Sequence, residues 1–394
     1  MSDWTNLELG SSLEVLIDNR GKNPPYEADG VPTVSGMTVS PGVLNLGSAR
    51  RVSHETWRRW MPEPSKRNDV VLTSEAPLGR AALVPTDDPL VLAQRVFGLR
   101  GRPGVLDSRF LYYAFLTVAV QADLQGRATG TTVLGIRQPA LKKVRIPAPG
   151  YAEQKAIAEV LGALDDKIAA NAKLAATAHE LAAHIYGQAI HPLGVVPMSS
   201  VLSPVLGGTP PRSQDEYWDG DQLWASAKDI TGAEFATVVD TEEKISVSAV
   251  QGTKAKPLPA GSVILTARGT VGAVARLAVP SSFNQSCYGF IPGTVPPGVL
   301  YFSIIDATQR AKAIAHGSVF DTITMKTFDH LEFPNFVGDT MALAEANITP
   351  LLDLVTGAVV ENQTLAATRD ALLPQLMSGK MRIKDANPIA AAAV

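Results

Sequence analysis

The chain repeats itself. Asn171-Ala-Lys-Leu174-Ala-Ala-Thr177 returns as Asn362-Gln-Thr-Leu365-Ala-Ala-Thr368, 191 residues later. The match continues at the same offset on both sides. Leu161, Leu164, Ile168, Leu181 and Ile185 fall on Leu352, Val355, Val359, Leu372 and Leu376. A repeat this long constrains the architecture before any other feature, because each copy is one structural unit. Two diverged copies give two related surfaces, and the natural partner of such a pair is itself two-fold.

The repeat extends beyond this segment. Val70-Val-Leu-Thr73 followed by Gly79 parallels Val263-Ile-Leu-Thr266 followed by Gly272. Gln94-Arg-Val-Phe97-Gly98 parallels Gln285-Ser-Cys-Tyr288-Gly289. Gly130-Thr131 with Ile136, Leu141 and Ile146-Pro147 parallels Gly317-Ser318 with Ile323, Phe328 and Phe333-Pro334. Each unit therefore has a Gly-, Pro- and Val-rich part, read as short strands and loops, followed by a segment of different character. Phe110 to about Gln125 reads as a helix within the first part.

In residues 151–186 Gly and Pro nearly vanish, and Ile157, Leu161, Leu164 and Ile168 step by four and three, as do Ala178, Leu181 and Ile185. Asn171 and Leu174 bridge the two runs. This spacing predicts a heptad-striped helix of roughly 35 residues, about 50 Å long. His191-Pro-Leu-Gly194 ends it. The second copy spans 340–378, striped by Ile348, Leu352, Val355, Val359, Leu365, Leu372 and Leu376, with Pro350 in its first turns or kinking it, and Pro374 kinking its end. A buried asparagine in a stripe can set register and orientation, and Asn171 and Asn362 occupy matching stripe positions.

Composition excludes several classes. One cysteine, Cys287, rules out a disulfide framework or a cysteine zinc site. The six histidines show no ligand spacing common to both units, so no metal is expected. Met1-Ser-Asp-Trp-Thr lacks the regions of a signal peptide, and no apolar run approaches the ~18 residues of a membrane span. A cytoplasmic protein without membrane contact is expected. The net charge is -3, which argues against a purely electrostatic nucleic-acid binder. Charge is unevenly spread, however. Residues 1–147 carry 18 Lys/Arg and 14 Asp/Glu, whereas residues 195–335 carry 10 and 13.

The chain resembles the specificity (S) subunit of type I restriction–modification systems over essentially its whole length. The residues that carry the resemblance are Gly207-Gly-Thr-Pro210-Pro-Arg212, Tyr217-Trp218 and Trp224, then Gly261-Ser-Val-Ile-Leu-Thr266 and Asn284-Gln285. They continue in the Gly-Ser/Thr loop leading to Ile146-Pro147, in Glu153-Gln154, and in Leu164-Asp165-Asp-Lys167-Ile168 with Asn171. The resemblance implies an α+β fold with a pseudo-two-fold internal repeat. Two target recognition domains, 1–149 and 191–338, would alternate with two long antiparallel helices, 150–190 and 339–380, forming a coiled coil. Residues 381–394 are expected as a disordered tail. No catalytic residue is implied. The partners would be a double-stranded bipartite DNA site, two methyltransferase subunits that bind S-adenosylmethionine, and two motor-nuclease subunits using ATP and Mg. Leu161, Leu164, Ile168, Asn171, Leu181, Leu352, Val355, Val359, Asn362 and Leu372 would pair the helices or dock the partner. The second unit departs from the pattern, with Thr340-Met341-Ala342 where Glu153-Gln154 opens the first helix.

Candidate DNA contacts follow from residue chemistry. Cations reach phosphates or guanine edges, glutamine can pair with adenine, and small hydroxyls beside glycine admit the DNA backbone. In the first unit these are Arg20, Lys22, Asn23, Tyr26, Arg58, Arg59, Thr73, Arg80, Gln94, Arg127, Thr131, Thr132 and Arg137. Arg58 and Arg59 sit beside Trp57 and Trp60, next to Arg50-Arg51, in the densest basic-aromatic cluster. In the second unit they are Thr209, Arg212, Tyr217, Trp218, Trp224, Lys228, Arg268, Gln285, Ser318 and Lys326. Each has a plainer reading as a turn residue, a buried aromatic or a solvated charge.

Asn23-Pro-Pro-Tyr26 supports a rival from another class. It resembles the motif with which adenine-specific methyltransferases hold a flipped base. Such an enzyme also needs a Gly-rich cofactor loop within an α/β sheet, which the sequence lacks. A further variant is the specificity subunit of a fused restriction–methylation system of another type.

Overall fold

The computed structural model describes residues 4–21, 23–191, 193–314 and 322–393. Two compact units interleave in sequence: Met1–Lys167 with Leu365–Val394, and Ile168–Thr364. Each holds one globular domain and part of each long helix.

In the first unit, β1 (Thr5–Glu8) pairs antiparallel with β9 (Arg145–Ala148), so the start and end of the globular domain close on each other. Between them runs an antiparallel sheet in the order β2-β8-β5-β6, from β2 (Leu13–Ile17), β5 (Val70–Thr73), β6 (Ala81–Leu83) and β8 (Val96–Gly101). Every residue of β5 and β8 is buried, as two-sided apolar strands must be. A smaller sheet sets β3 (Val31–Val34) antiparallel to β4 (Arg51–Val52) and parallel to β7 (Val91–Leu92).

The second unit repeats this plan with one strand added to the main sheet. Here β10 (Val195–Pro197) pairs with β19 (Glu332–Pro334). The main sheet runs β11-β18-β15-β16-β13, from β11 (Val205–Leu206), β13 (Thr237–Val238), β15 (Val263–Thr266), β16 (Val274–Leu277) and β18 (Cys287–Phe290). In the smaller sheet β12 (Gln222–Ala225) lies antiparallel to β14 (Glu243–Ile245) and parallel to β17 (Ser282–Phe283). The edge strand β13, parallel to β16, is the second domain's addition to the main sheet.

The first long helix is Tyr151–Ile190 and the second Thr340–Leu376, the latter running through Pro350 and Pro374. Within the second unit they are antiparallel. Ala175 and Ala178 pack with Val355, Ala358 and Val359, and Asn171 meets Glu361. Within the first unit Arg369 reaches Asp165 at 2.8 Å, in the same sense. By length and composition the second helix could cross a membrane. Its stripe of Ile348, Leu352, Val355, Val359, Leu365, Leu372 and Leu376 is nonetheless buried within the protein.

The first helix corrects the sequence reading. Its buried stripe runs Ile157, Leu161, Leu164, Asn171, Ala175, Ala178, Ala182, Tyr186, while Leu174 and Leu181 are 50% and 47% exposed. Past Asn171 the stripe steps four to Ala175, whereas past Asn362 it steps three to Leu365. Alanine in the seam lets the partner surface approach closely, so the large residues one position earlier turn outward. Two further expectations change. The helix expected over 110–125 is two helices, Ser108–Phe115 and Val118–Gly126, with Thr117 capping the second. The expected tail instead forms a helix at Ile383–Ala393, with Ala386 and Ala390 buried one turn apart. Its alanines have the highest helix propensity.

Candidate nucleic-acid interface

Three backbone bonds recur in both domains and define one place in each. Ser74 donates to the Arg95 carbonyl at 2.9 Å, and Ala267 to that of Ser286 at 2.8 Å. Ile136 donates to the Ser74 carbonyl, and Ile323 to that of Ala267. Gly79 donates to the Thr73 carbonyl, and Gly272 to that of Thr266. The end of the central strand, the turn before its neighbour and the segment after the Gly-Ser/Thr loop therefore meet. In this way the fold gathers the matched segments at 73–75, 94–95 and 129–137, and at 266–268, 284–286 and 323.

Thr73 belongs to the frame of this place and not to its surface. It is fully buried. Its hydroxyl donates to the Pro77 carbonyl at 2.6 Å and accepts from the Arg80 amide at 2.9 Å. Thr266 bonds the Thr270 carbonyl and the Ala273 amide in the same way. This clamp corrects the expectation of a DNA contact at Thr73, because a hydroxyl with both roles filled inside the sheet has nothing left to offer. Arg20 is corrected on similar grounds. Its guanidinium forks onto Asp18 at 2.7 and 2.9 Å, donates to the Ile136 carbonyl at 2.7 Å and lies 3.9 Å over the Phe97 ring. It braces the end of β2 against the segment after the loop.

The remaining cations divide by their partners. Arg127 is held by Asp123, Arg212 by Glu243, and Lys228 by Glu242. The hydrogen bond with Arg212 lowers the Glu243 pKa, so the carboxylate stays charged. Arg212 also lies 3.5 Å over the Trp218 ring. Among the described residues the Arg80 guanidinium makes one long contact, 3.4 Å, to the Val39 carbonyl. Arg58, Arg59, Arg137, Arg268 and Lys326 are exposed and form no ion pair among the described residues. They are the cations available to phosphates without first breaking a pair.

The loops and aromatics sort in the same way. Thr131 and Thr132 are exposed on a loop closed by reciprocal bonds between Thr129 and Gly135 at 2.8 and 3.0 Å. Gly130 there has φ +128, and a Cβ would stand 2.1 Å from the Val133 carbonyl oxygen, so the turn needs glycine. Gln94 is half-buried and Gln285 exposed. Thr209 approaches the Gln285 amide at 3.4 Å. Trp224 is buried, with its indole N–H donating to the Gly208 carbonyl at 2.9 Å, and Trp218 meets it edge-on. Trp224 thus supports the Gly207-Gly-Thr-Pro loop from beneath, a correction to its expected place at the surface. Tyr217 is half-buried in the same apolar cluster. Lys22 and Ser318 lie outside the described residues.

The rival motif loses its chemistry here. The Tyr26 ring packs on the core and is covered by the Arg50 guanidinium at 4.7 Å. The main sheet of the domain is antiparallel, and the smaller sheet beside the motif holds one short parallel pairing, where a methyltransferase needs a parallel sheet with a cofactor loop.

The sequence reading missed two features. One is the Glu75–Arg95 ion pair, 3.2 Å, beside an open cleft of about 290 Å³ lined by Arg20, Gly21, Ser74, Glu75, Gln94 and Arg95. Arg95 has φ +62, a region costly for a bulky side chain. The other is the tie between each long helix and its domain. The Gln154 amide accepts from the Asp107 amide at 3.0 Å and donates to the Val105 and Pro149 carbonyls. At the same offset, Glu345 accepts from the Gly298 and Val299 amides at 3.0 and 2.8 Å, where the helix Pro297–Ile314 begins. The apparent departure of the second unit disappears: Gln154 has its counterpart in Glu345.

Of the helix candidates, Leu161, Leu164, Asn171, Leu352, Val355, Val359, Asn362 and Leu372 are buried, Ile168 is half-buried and Leu181 is exposed. Asn171 donates to Glu361 at 2.6 Å and Asn362 to the Ile168 carbonyl at 3.3 Å, so each makes one polar bond across the seam. Burial pushes the Cys287 thiol up to about 11, leaving it unreactive. Among the described residues no group of His, Cys, Asp or Glu could hold a metal ion.

Comparison with known proteins agrees with this geometry. The family model for the type I restriction modification DNA specificity domain matches residues 63–179 and 202–335, one stretch in each repeat. A type I restriction enzyme specificity subunit (MjaIX) of Methanocaldococcus jannaschii is 31% identical over 137 residues, 34% of this chain and 32% of that protein. The HindI specificity subunit of Haemophilus influenzae is 25% identical over 181 residues, 45% of this chain and 39% of that one. The chain thus spans about a third to two fifths of the curated relatives it matches. A crystal structure of a type I restriction-modification S subunit from M. genitalium superposes with TM-score 0.67 at 17% identity, covering 95% of this chain and 96% of that one, which is a likeness of fold.

Proposed function

The chain belongs to the type I restriction modification DNA specificity family, and from that premise we propose that it is a non-catalytic specificity subunit whose two domains each recognise one half of a bipartite DNA site. The observation that carries this reading is a shared frame with different chemistry. The three recurring backbone bonds place equivalent positions at one surface of each domain, yet the side chains there differ. Two such surfaces suit two different half-sites. Affinity comes from the cations that form no ion pair among the described residues, Arg58, Arg59 and Arg137 in the first domain and Arg268 and Lys326 in the second. Exposed pairs such as Arg212–Glu243 exchange onto phosphate at little cost. Specificity comes from base edges and DNA shape.

The chemistry on DNA belongs to partners: methyltransferase subunits carrying S-adenosylmethionine, and motor-nuclease subunits using ATP and Mg. The long helices dock the methyltransferase and set the gap between half-sites. The test is to co-express the chain with its methyltransferase partner and sequence the host DNA for modified adenines. A split motif with two specific halves and a fixed gap is expected. Modification at a continuous site, or none although the proteins co-purify, would overturn the reading.

A further inference from the structure

We propose that Glu75 and Arg95 are the specificity-determining residues of the first domain, and that together they read a G·C base pair in the major groove. The inference rests on the two-half reading above and adds to it the base and the side chains.

The pair is not explained by stability. Both side chains are about half exposed, 43% for Glu75 and 52% for Arg95, and exposed ion pairs contribute little to folding. Arg95 is also held at φ +62, where a bulky residue is disfavoured. The fold does not require this. Its backbone counterpart Ser286 has no such φ, although the same strand bond is made there. A strained residue without a structural reason points to use at a site.

At this position the repeat reverses charge between its copies. Glu75 and Arg95 each follow or form part of the recurring backbone bonds. Their counterparts in the second domain are Arg268 and Ser286, so the carboxylate becomes a cation and the cation a hydroxyl. The glutamine one residue before stays the same, Gln94 before Arg95 and Gln285 before Ser286. What varies at a constant frame is what can distinguish two half-sites.

The chemistry then selects the base pair. A carboxylate on a DNA-binding face is repelled by phosphate and finds its donor on a base edge, most directly the cytosine N4 amino group. An arginine fork matches guanine O6 and N7. Across the major groove a G·C pair shows two acceptors and then a donor. Arg95 beside Glu75, 3.2 Å apart, offers donors and then an acceptor. An A·T pair puts its donor between two acceptors and does not match. On binding, the guanidinium–carboxylate contact is exchanged for two base contacts.

The experiment is the co-expression assay run with the full chain as wild type, Glu75→Ala and Arg95→Gly, the glycine also suiting the positive φ. Thermal unfolding and co-purification confirm that each variant folds and assembles. Sites are read from modified host adenines and from selection of randomised duplexes by the purified complex. The expected result is that one G·C position in one half-site loses about ten- to a hundred-fold of its preference, with the other half-site unchanged. An unchanged motif in both variants would overturn the assignment. So would equal weakening on all sequences, which would make the pair a backbone contact, or a wild-type half-site without a G·C pair at the affected position. Absence of any split motif for wild type would remove the two-half reading itself, and this assignment with it.

Discussion

The two globular domains agree in their backbone and disagree in their charges. Strand order, the antiparallel-plus-parallel small sheet and the threonine clamp recur. The buried charges do not. In the first domain Arg100 is buried with Asp69 and also reaches Glu63 and the Pro64 carbonyl, tying a loop to β8. The second domain has no arginine there but buries Arg276 on β16, where it donates to the Leu352 carbonyl and the Thr356 hydroxyl of the second long helix, both at 2.6 Å. The difference teaches that the duplicated frame is held by hydrogen bonds and apolar packing. Those terms tolerate divergence, while each buried charge is a local solution found once.

The helices offer the largest test of that comparison. Leu174 and Leu365 are repeat partners, but Leu365 is fully buried and Leu174 half exposed. Leu365→Asp loses a core side chain and buries a carboxylate, with an expected cost of about 5 kcal/mol. Leu174→Asp is expected to change stability by less than about 0.5 kcal/mol. Denaturant unfolding of both variants decides it, and equal effects would restore the symmetric stripe. The next effect is confined to one domain. Asp69→Ala leaves the buried Arg100 guanidinium without its main partner, at a cost of about 3–4 kcal/mol. Hydrogen exchange should show the first domain opening while the second stays protected. A smaller effect is expected at the helix ties. Glu345→Gln exchanges a carboxylate at a helix N-terminus for a neutral amide and should cost about 1 kcal/mol. Gln154→Glu meets two carbonyls that want a donor, and should destabilise by about 1–3 kcal/mol. If each residue could replace the other freely, the ties would be interchangeable and the divergence here without consequence.

These contrasts show what the sequence made legible. The two-unit plan, the existence of both long helices and the stripe of the second were readable because periodicity and repetition survive without knowledge of contacts. The stripe of the first helix was not. Whether Ala175 or Leu174 faces the seam depends on how near the facing surface comes, which no local pattern encodes. Arg20 reads as a free cation when taken singly, although Asp18 two residues earlier is the signal of its pairing. The Gln154–Glu345 tie lies at the offset of 191 shared by the asparagines and not at matching first residues of the helices, because the second helix starts earlier relative to its stripe. Glu75 carries the wrong charge for a phosphate contact, so nothing in the sequence marks it as part of a DNA-binding face. A carboxylate becomes visible there only when the strand ends bring it against Arg95.

The smallest effect sharpens the comparison at one titratable position. His179 is on the first long helix, and its repeat partner is the exposed Asp370. His179 Nε2 lies 2.9 Å from the Tyr301 hydroxyl, with the Phe302 ring tilted against it at 5.5 Å. Burial lowers its pKa, helped by the Arg276 charge and opposed by Glu180. The unfolded chain therefore binds the proton more readily, at its ordinary value of about 6.5. Above that value neither state is protonated and the imidazole has no effect. As pH falls from about 6.5 toward the lower folded value, the unfolded state gains protons first and stability falls. His179→Gln should flatten this part of the profile, seen as a smaller drop in Tm between pH 7 and pH 5.5 than in wild type. Asp370→Asn, at the matched but solvated position, should leave the profile as it is. If both variants altered it equally, burial would not be what separates the two copies here.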